Sequence, residues 1–236
     1  MQIIVAFPFC AKDVLVLAKN LEWQSELRTN WPECVLSYDR TVTREWVTRI
    51  EQMARRCYKT THLFQYPNPP AGWWPPNQAF QQTAKHMTAH KAPWLWFEPD
   101  MVPLCEHWLP MLQAAYDASG KEFFAPIIPD LGHYNGTGIY PSDAPNIIRS
   151  AMSESHTAWD VAMRSEMQDR AADASHVLQH CWTVVDGRPH PFGGGTEPYF
   201  SNKEDLRMLI PTAVLFHRNK ELSLVDRLRE CKREAV

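Results

Sequence analysis

The sequence predicts an α/β fold in which helices flank a mainly parallel sheet, within a single domain spanning residues 1–236. Short apolar runs typical of buried strands alternate with helical patterns over residues 3–66, as in doubly wound sheets. The chain is 44% hydrophobic and 22% charged, an ordinary globular composition. It contains no internal repeat, low-complexity tract or flexible linker. One domain, with a regular N-terminal half and a loop-rich C-terminal half, fits these observations.

The elements of the first half are predicted from apolar runs and helix caps. The run at 3–7 is short and apolar, as in a buried strand. Asp13 can cap the next helix, because apolar residues recur after it at helical spacing. The same criteria predict a strand at 34–38, a helix at 43–57 and a strand at 62–66. The predicted order is therefore a regular alternation of three strands with two helices.

A proline-rich segment, 67–76, interrupts this alternation. Proline lacks the backbone N–H and fixes φ, so the segment is predicted to be a rigid loop that presents Trp73 and Trp74. Pro76 suits the first position of a helix. The elements predicted after the loop are a helix at 76–90, a strand at 93–97, a helix at 106–118, a strand at 123–128, a loop at 133–138, a helix at 160–169, a glycine run at 193–195, a strand at 213–216 and a charged C-terminal helix.

Charge and cysteine content indicate the cellular setting. The formal net charge of −3 and the pI near 6.4 give no general attraction to nucleic acid or to an anionic membrane. The N-terminus lacks the basic region of a signal peptide, and no segment approaches the roughly 20 apolar residues of a membrane-spanning helix. The six cysteines form no CxxC pair and no zinc spacing. We therefore expect a cytoplasmic protein with reduced thiols and no membrane contact.

Two carboxylates, Glu98 and Asp100, follow the predicted strand at 93–97. In extended chain, side chains two residues apart point to the same side, so both carboxylates can face one ion. Two neighbouring carboxylates repel each other unless a metal or a proton lies between them. Their hard oxygens suit Mg²⁺ or Mn²⁺. Taken alone, the pair is equally well interpreted as exposed turn residues.

The segment 94–109 (WLWFEPDMVPLCEHWL) resembles the acidic metal motif, DxD or ExD, of GT-A glycosyltransferases. Glu replaces the first Asp of the usual motif, and proline occupies its middle position. Three more segments follow in the order of that family, and the resemblance covers nearly the whole chain. Segment 135–141 (NGTGIYP) resembles the lining of the sugar and acceptor side, 158–160 (AWD) resembles an element with a carboxylate at the acceptor hydroxyl, and 215–220 (LFHRNK) resembles a C-terminal element with a metal-binding His and a diphosphate-binding Lys.

The resemblance implies a Rossmann-related GT-A fold with a mixed, mainly parallel sheet. It divides the chain into a nucleotide-binding half, 1–100, and an acceptor-binding half, 101–236. The implied activity is metal-dependent transfer of a hexose or pentose from a nucleotide-diphosphate sugar to an acceptor hydroxyl. The first choice of donor is a UDP-sugar. The implied cofactor is Mn²⁺ or Mg²⁺, and its ligands are Glu98, Asp100 and His217.

The remaining site residues take their roles from the same resemblance. Asp160 is the implied general base, although an N-cap of the helix after it is an equally good interpretation. Asp39 is equally well interpreted as a solvated turn residue, and tryptophans such as Trp74 more often pack in cores. The implied donor-binding residues are Phe7, Pro8, Asp39, Asn77, Lys85 and Lys220, and the implied acceptor- or sugar-binding residues are Trp74, Asn135, Gly136 and Trp159.

The acceptor stays open at this stage, and two other functions compete. Viral enzymes that glycosylate hydroxymethylated DNA pyrimidines are one soluble class of this size, so modified DNA in the host cytoplasm is one hypothesis. A nucleotidyltransferase would normally have a glycine-rich basic loop after the first strand, and AFPFCAKD contains no glycine. A non-catalytic carbohydrate- or nucleic-acid-binding module could use the ten tryptophans, but it does not need an acidic pair with a distant His and Lys.

Overall fold

A computed structural model describes residues 2–68, 72–128, 132–181, 184–185, 188–189 and 198–234. The elements of its first half are β1 (Ile4–Phe9), α1 (Val14–Glu26), β2 (Trp31–Tyr38), α2 (Arg44–Ala54), β3 (Tyr58–Gln65), α3 (Pro75–Met87), a 3-10 helix (Thr88–His90), β4 (Trp94–Trp96), β5 (Val102–Pro103) and α4 (Trp108–Ser119). Those of the second half are β6 (Phe123–Ala125), β7 (Ile127–Ile128), β8 (His133–Tyr134), β9 (Ile139–Tyr140), α5 (Ala144–Ile147), α6 (Arg149–Ser153), α7 (Trp159–Ala162), α8 (Arg164–Met167), β10 (Ala171–Asp173), β11 (Leu178–His180), β12 (Val184–Val185), β13 (Arg188–Pro189), a 3-10 helix (Lys203–Met208), β14 (Leu215–His217) and α9 (Ser223–Glu234).

The main sheet has seven strands in the order β10-β6-β9-β4-β1-β2-β3. The strands β1 to β4 are all parallel, as are β6 and β10, whereas β9 runs antiparallel to both of its neighbours. The predicted mixed, mainly parallel sheet is therefore confirmed. Because β1 to β4 are parallel, their carboxyl ends lie at one edge of the sheet, where open α/β sheets bind ligands.

Helices cover both faces of this sheet, as the burial of β1 shows. All six of its residues are buried, as expected of a strand that is covered on two sides. Alternate side chains enter two separate clusters: Val5 and Phe7 join the core shared with α1, α2 and α4, whereas Ile4 and Ala6 join the core shared with α3. Among the described residues, no helix combines the length and apolar character needed to cross a membrane.

A second sheet of three strands, β11-β14-β5, lies beside the main one. Its strand β5 comes two residues after Asp100, and it pairs antiparallel with β14 through Val102 opposite Phe216. This pairing connects the end of the first half of the chain to its C-terminal part. It brings His217, the last residue of β14, next to the carboxylates that follow β4.

Prolines and short elements account for most differences from the predicted elements. The predicted strand at 123–128 is two strands, because Pro126 between them cannot donate to a ladder. The predicted helix at 160–169 is the two short helices α7 and α8. The predicted loop at 133–138 begins with β8. The glycine run at 193–195 lies outside the described residues.

The ends of α1 and β1 also differ from their predictions. Asp13 occupies the N-cap position of α1, but its carboxylate makes no capping bond to that helix. Its Oδ2 instead accepts a hydrogen bond from the Cys10 N–H at 2.9 Å, which tightens the turn after β1. The strand β1 itself continues to Phe9, beyond the predicted range 3–7, because Pro8 and Phe9 still pair with β2.

Candidate active site

A cleft of about 430 Å³ opens at the carboxyl ends of the parallel strands. Segments that follow β1, β2, β3 and β4 form most of its wall, and the start of α3 forms another part. Its lining residues are Pro8, Phe9, Cys10, Lys12, Asp13, Val16, Asp39, Tyr66, Pro75, Pro76, Ala79, Trp96, Glu98, Pro99, Asp100, Trp159 and Lys220. The cleft thus lies where the topology places a ligand site.

Glu98, Asp100 and His217 converge at this cleft. His217 Nε2 lies 3.1 Å from Glu98 Oε2 and 3.5 Å from Asp100 Oδ1. One potential ligand atom from each residue lies within 4.8 Å of the others. The structure therefore brings together the three residues predicted to bind a metal.

The two carboxylates reach the same point through a turn. The Met101 N–H donates to the Glu98 carbonyl at 3.0 Å, and this bond closes the turn around Pro99. The sequence-based prediction that Glu98 and Asp100 lie on an extended segment was therefore wrong, because the chain turns at Pro99. The convergence follows from the turn and from His217, which lies against both carboxylates.

Burial makes this cluster fit a divalent cation. The side chains of Asp100 and His217 are 13% and 6% exposed, and that of Glu98 is 31% exposed. Asp100 Oδ1 is buried, and its nearest donor, His217 Nε2 at 3.5 Å, lies beyond a well-formed hydrogen bond, so this acceptor is poorly satisfied. Two carboxylates and one imidazole are ligands that Mn²⁺ accepts readily and Mg²⁺ accepts in part. A cation between them would give Asp100 Oδ1 a closer partner than His217.

In the absence of metal, a proton balances the two carboxylates. Burial lowers the pKa of His217, but Glu98 and Asp100 outweigh burial and raise the pKa to about 10. Burial raises the pKa of Asp100, yet His217 and Lys220 outweigh it and hold that pKa below its usual value. The metal-free cluster at neutral pH is therefore an imidazolium ion between two carboxylates.

Neighbouring polar groups orient the members of the cluster. Thr137 is fully buried, and its Oγ1 lies 3.1 Å from His217 Nδ1 and 3.4 Å from Nε2, so it contacts the ring whose Nε2 also faces the two carboxylates. Asn135 Oδ1 accepts from the Thr137 N–H at 2.9 Å and fixes the turn that presents Thr137. Trp96 Nε1 donates to Glu98 Oε1 at 3.2 Å. Asn135, predicted to face the sugar, thus supports Thr137, which contacts His217.

Asp160 lies in the first turn of α7, and three groups surround its carboxylate. Its Oδ2 accepts from the Gly136 N–H at 3.2 Å and lies 3.7 Å from His133 Nε2. Its Oδ1 accepts from the Val161 N–H at 2.9 Å. The N-cap of α7 is Ala158, so the interpretation of Asp160 as an N-cap was wrong, because the helix begins earlier than the pattern indicated.

Trp159 forms a wall of the cleft next to Asp160. Its ring stacks on Phe80 with centroids 5.0 Å apart and an interplanar angle of 15°. A Cβ atom at Gly136 would lie 2.5 Å from Trp159 Cζ2, so only glycine allows this close approach. Asn77 holds the same segment, since its Oδ1 accepts from the Trp159 N–H at 3.2 Å.

A cation and an acidic residue flank the cleft on the side of the strand ends. Lys220 lines the cleft, and its charge lowers the pKa of Asp100. The Asn219 N–H donates to the Asp100 carbonyl at 3.2 Å, which keeps the Lys220 segment beside Glu98, Asp100 and His217. Asp39 also lines the cleft, and one of its oxygens accepts from the Thr41 N–H at 2.9 Å. Asp39 is therefore a turn residue that also lines the cleft.

A second cleft, of about 480 Å³, lies on the other side of Pro75. Trp74, predicted to bind the sugar or the acceptor, is 43% exposed and lines this cleft together with Trp73 and His156. The Trp74 N–H donates to the Ser155 carbonyl at 2.9 Å and fixes the tryptophan at the start of α3. Pro75 lines both clefts, so they are neighbours on one face of the molecule.

Comparison with known proteins adds evidence from structure only. No protein-family model matches the sequence, and no curated protein matches it. The apo structure of the bifunctional glycosyltransferase WbbM aligns with a TM-score of 0.58 at 7% identity, over 97% of this chain and 49% of that chain. GlyE of Streptococcus pneumoniae aligns with a TM-score of 0.57 at 11% identity, over 100% and 65% of the two chains. Galactosyltransferase LgtC, solved with donor and acceptor sugar analogues, aligns with a TM-score of 0.55 at 9% identity, over 98% and 96%.

The chain has the GT-A fold. It spans about half of the length of the WbbM chain and nearly all of LgtC. At these identities the likeness shows the fold alone. The GT-A fold confirms the fold class predicted from the sequence.

The GT-A fold does not bring every predicted donor-binding residue to the cleft. Phe7 is 0% exposed, and its ring packs against Tyr58 and Phe97 in the core. Asn77 is fully buried, and its side chain bonds to backbone groups of Glu154, Thr157 and Trp159, before and at the start of α7. Lys85 lies exposed in the last turn of α3, whereas the cleft meets the first turns of that helix.

Sequence reasoning also missed residues that line the cleft. Lys12 and Cys10 follow β1, and Tyr66 follows β3, so the rule that ligands meet strand ends could have found them. Cys10 and Lys12 were missed because β1 was predicted to end at position 7, not at Phe9, and Tyr66 was missed because it was assigned to the strand predicted at 62–66. Trp96 was assigned to a buried strand, yet it borders the cleft and binds Glu98.

Proposed function

We propose that this chain is a metal-dependent glycosyltransferase that moves a sugar from a nucleotide-diphosphate sugar to an acceptor hydroxyl. The observation that supports it most is the convergence of Glu98, Asp100 and His217 at a cleft of the GT-A fold. The buried Asp100 Oδ1, which has only a long 3.5 Å contact with His217 Nε2 as its nearest donor, supports a cation at that point. The alternatives of a nucleotidyltransferase and a binding module have no comparable observation in their favour.

The proposed metal is Mn²⁺ or Mg²⁺, held by Glu98, Asp100 and His217. A divalent ion at this position neutralises the charge that develops on a diphosphate leaving group, an effect of several kcal/mol. Three protein ligands leave room for diphosphate oxygens in an octahedral shell. Thr137 and Trp96 would keep the imidazole and the Glu98 carboxylate aimed at the ion.

The donor is proposed to lie along the carboxyl ends of the strands, in the half formed by residues 1–100. Lys220 and Lys12 line the cleft and provide positive charge for a diphosphate. Pro8 and Asp39 line the part of the cleft nearest to β1 and β2, where a ribose and base would fit. A UDP-sugar is the proposed donor, and a hexose or a pentose is compatible with the cleft.

Asp160 is proposed to take the proton of the acceptor hydroxyl. Gly136 and His133 hold its Oδ2, and Asp160 directly follows Trp159, which lines the cleft, although Asp160 is not itself among the lining residues. Among the described residues, no lysine or arginine pairs with this carboxylate within 4.0 Å, so it is not neutralised by a fixed cation. A carboxylate that is oriented but not neutralised is suited to act as a general base.

The acceptor is proposed to use the half formed by residues 101–236 together with the second cleft. Trp74 offers an exposed aromatic face, on which a sugar or a nucleic-acid base can stack. A hydroxymethylated DNA pyrimidine fits this proposal, and a small carbohydrate also fits it. The proposed location is the cytoplasm, which for a viral protein is that of the host cell. All six cysteines are free thiols, and the reducing conditions of cytoplasm maintain thiols in that form.

The proposal is tested by screening nucleotide sugars for slow hydrolysis, read by mass spectrometry. We expect one UDP-sugar to be hydrolysed in the presence of Mn²⁺ or Mg²⁺, and hydrolysis to stop in excess EDTA. Adding acceptors, from simple sugars to hydroxymethylated oligonucleotides, should then convert hydrolysis into transfer. Full activity in excess EDTA would contradict the metal proposal, and release of pyrophosphate from a nucleoside triphosphate would favour the nucleotidyltransferase.

The pKa of His217 gives this site a predicted pH dependence. Metal binding must displace the proton that the imidazole holds, and the pKa of about 10 keeps it protonated at neutral pH. We therefore expect the apparent affinity for Mg²⁺, in the presence of saturating UDP, to rise roughly tenfold per pH unit between about pH 7 and pH 9. Isothermal titration calorimetry at several pH values measures this slope. His217→Gln is the control, because it should bind more weakly and lose the slope, and equal slopes for both proteins would contradict the prediction.

A further inference from the structure

A second group of metal-binding side chains lies away from the cleft. Glu33 is near the start of β2, His62 is in β3, and His90 ends the 3-10 helix that follows α3. In the strand register, Val35 of β2 lies opposite His62, and Glu33 lies two residues before Val35. Glu33 and His62 therefore point to the same face of the sheet, and α3 packs on that face.

The three side chains converge on one point. Glu33 Oε1 lies 2.9 Å from His62 Nε2 and 2.8 Å from His90 Nδ1. One potential ligand atom from each residue lies within 4.8 Å of the others. In a tetrahedral zinc site with bonds of about 2.0–2.2 Å, ligand atoms are roughly 3.3–3.5 Å apart. A shift of about half an ångström per contact would therefore open the cluster to an ion of this size.

The surroundings hold these rings in place while leaving a position open to solvent. The side chains of His90, Glu33 and His62 are 14%, 29% and 40% exposed. The ring of His86 stacks on Phe64 at 4.1 Å between centroids and lies 5.3 Å from the ring of His90. Histidine rings that are already packed lose less rotational freedom when they bind a metal ion than free rings do. The solvent-exposed side of the cluster admits a water molecule as the fourth ligand of the ion.

We propose that Glu33, His62 and His90 form a zinc site that fastens the edge strand β3 to the end of α3. Two imidazoles and one carboxylate are ligands that favour Zn²⁺ over Mg²⁺ or Ca²⁺. This ligand set differs from the cluster of Glu98, Asp100 and His217, which has more carboxylate oxygens.

The site is independent of the proposed catalytic centre. The cleft lies beyond the carboxyl end of β2, and the strand from Glu33 to Asp39 covers about 20 Å at the usual rise per residue. Among the described residues, β3 is the last strand in the sheet order, so a cross-link there would stabilise an edge strand of the described sheet. The inference therefore stands whether or not the chain transfers sugars.

Equilibrium dialysis against Zn²⁺ at near-neutral pH tests the site. To exclude binding by the other cluster, the experiment uses His217→Gln alone and combined with His62→Gln, His90→Gln or His156→Gln. We expect His217→Gln to bind one zinc ion and to gain roughly 5–10 °C in Tm when zinc is in about hundredfold excess over its Kd. His62→Gln or His90→Gln should weaken binding at least tenfold, whereas the exposed His156→Gln should leave it unchanged.

Hydrogen exchange gives a second measurement that does not depend on the Tm of a variant. Zinc should slow amide exchange in β3 in the protein with His62 and His90 intact, and Mg²⁺ at the same concentration should not. The proposal is overturned if no zinc binds at about 100 µM, or if binding survives His62→Gln and His90→Gln unchanged. Melting curves in EDTA verify that each variant is folded.

Discussion

Asp100→Asn is expected to reduce sugar transfer by about a thousandfold or more while the protein remains folded. The substitution keeps the size of the side chain but removes the charge of a carboxylate whose buried Oδ1 has His217 Nε2, at 3.5 Å, as its nearest donor. The ion would lose a charged ligand, and the leaving diphosphate would lose the charge that neutralises it. The measurement is the turnover number with saturating donor and Mn²⁺, beside the Tm of the variant.

Asp143→Asn is the matched control for this substitution. Asp143 is exposed and precedes α5, where its side chain makes no capping bond, so the same change of charge should leave turnover unaltered. Glu98→Gln should have a smaller effect than Asp100→Asn, because Glu98 is more exposed. Near-normal turnover of folded Asp100→Asn would rule out a metal held by this residue.

Asp160→Asn is expected to lower transfer by roughly two to four orders of magnitude with little change in donor affinity. Asn can still accept a hydrogen bond from the Gly136 N–H, so the local structure should survive, but it cannot take up the proton of the acceptor hydroxyl. Donor hydrolysis should fall less than transfer, because water can lose its proton to bulk solvent. Turnover numbers for both reactions, with the Kd of the donor, measure this difference.

Asp169→Asn serves as the control, since Asp169 is exposed at the end of the α8 region. If Asp160→Asn transferred sugar at a near-normal rate, Asp160 would not be the base. A mechanism that retains the configuration of the sugar, which needs no base at the acceptor, would then be favoured. The stereochemistry of the product, determined by NMR, would decide between the two mechanisms.

Local patterns in the sequence predicted the fold because each βα unit contains its own signals. The strand β2 and the helix α2 are recognisable from a few consecutive residues, and parallel strands place their carboxyl ends together. The same rule led to Asp39 and Glu98, which both line the cleft. It failed for Lys12 only because the end of β1 was misplaced.

The meeting of His217 with Asp100 could not be predicted from local patterns. It depends on the antiparallel pairing of β5 with β14, two short strands whose sequences contain no signal for each other. Only the resemblance to a family suggested it. The cluster of Glu33, His62 and His90 was missed for the same reason, because strand register alone brings the first two residues together.

The pairing of β14 with β5 also determines when the proposed catalytic centre assembles during synthesis. Glu98 and His217 are 119 residues apart in sequence, and protein synthesis proceeds from the N-terminus. The strands β1 to β4 can therefore form their sheet on the ribosome while His217 has not yet been made. A nascent chain of this protein can shape the part of the cleft formed by β1 to β4 early, yet the proposed catalytic centre stays incomplete until translation has passed β14.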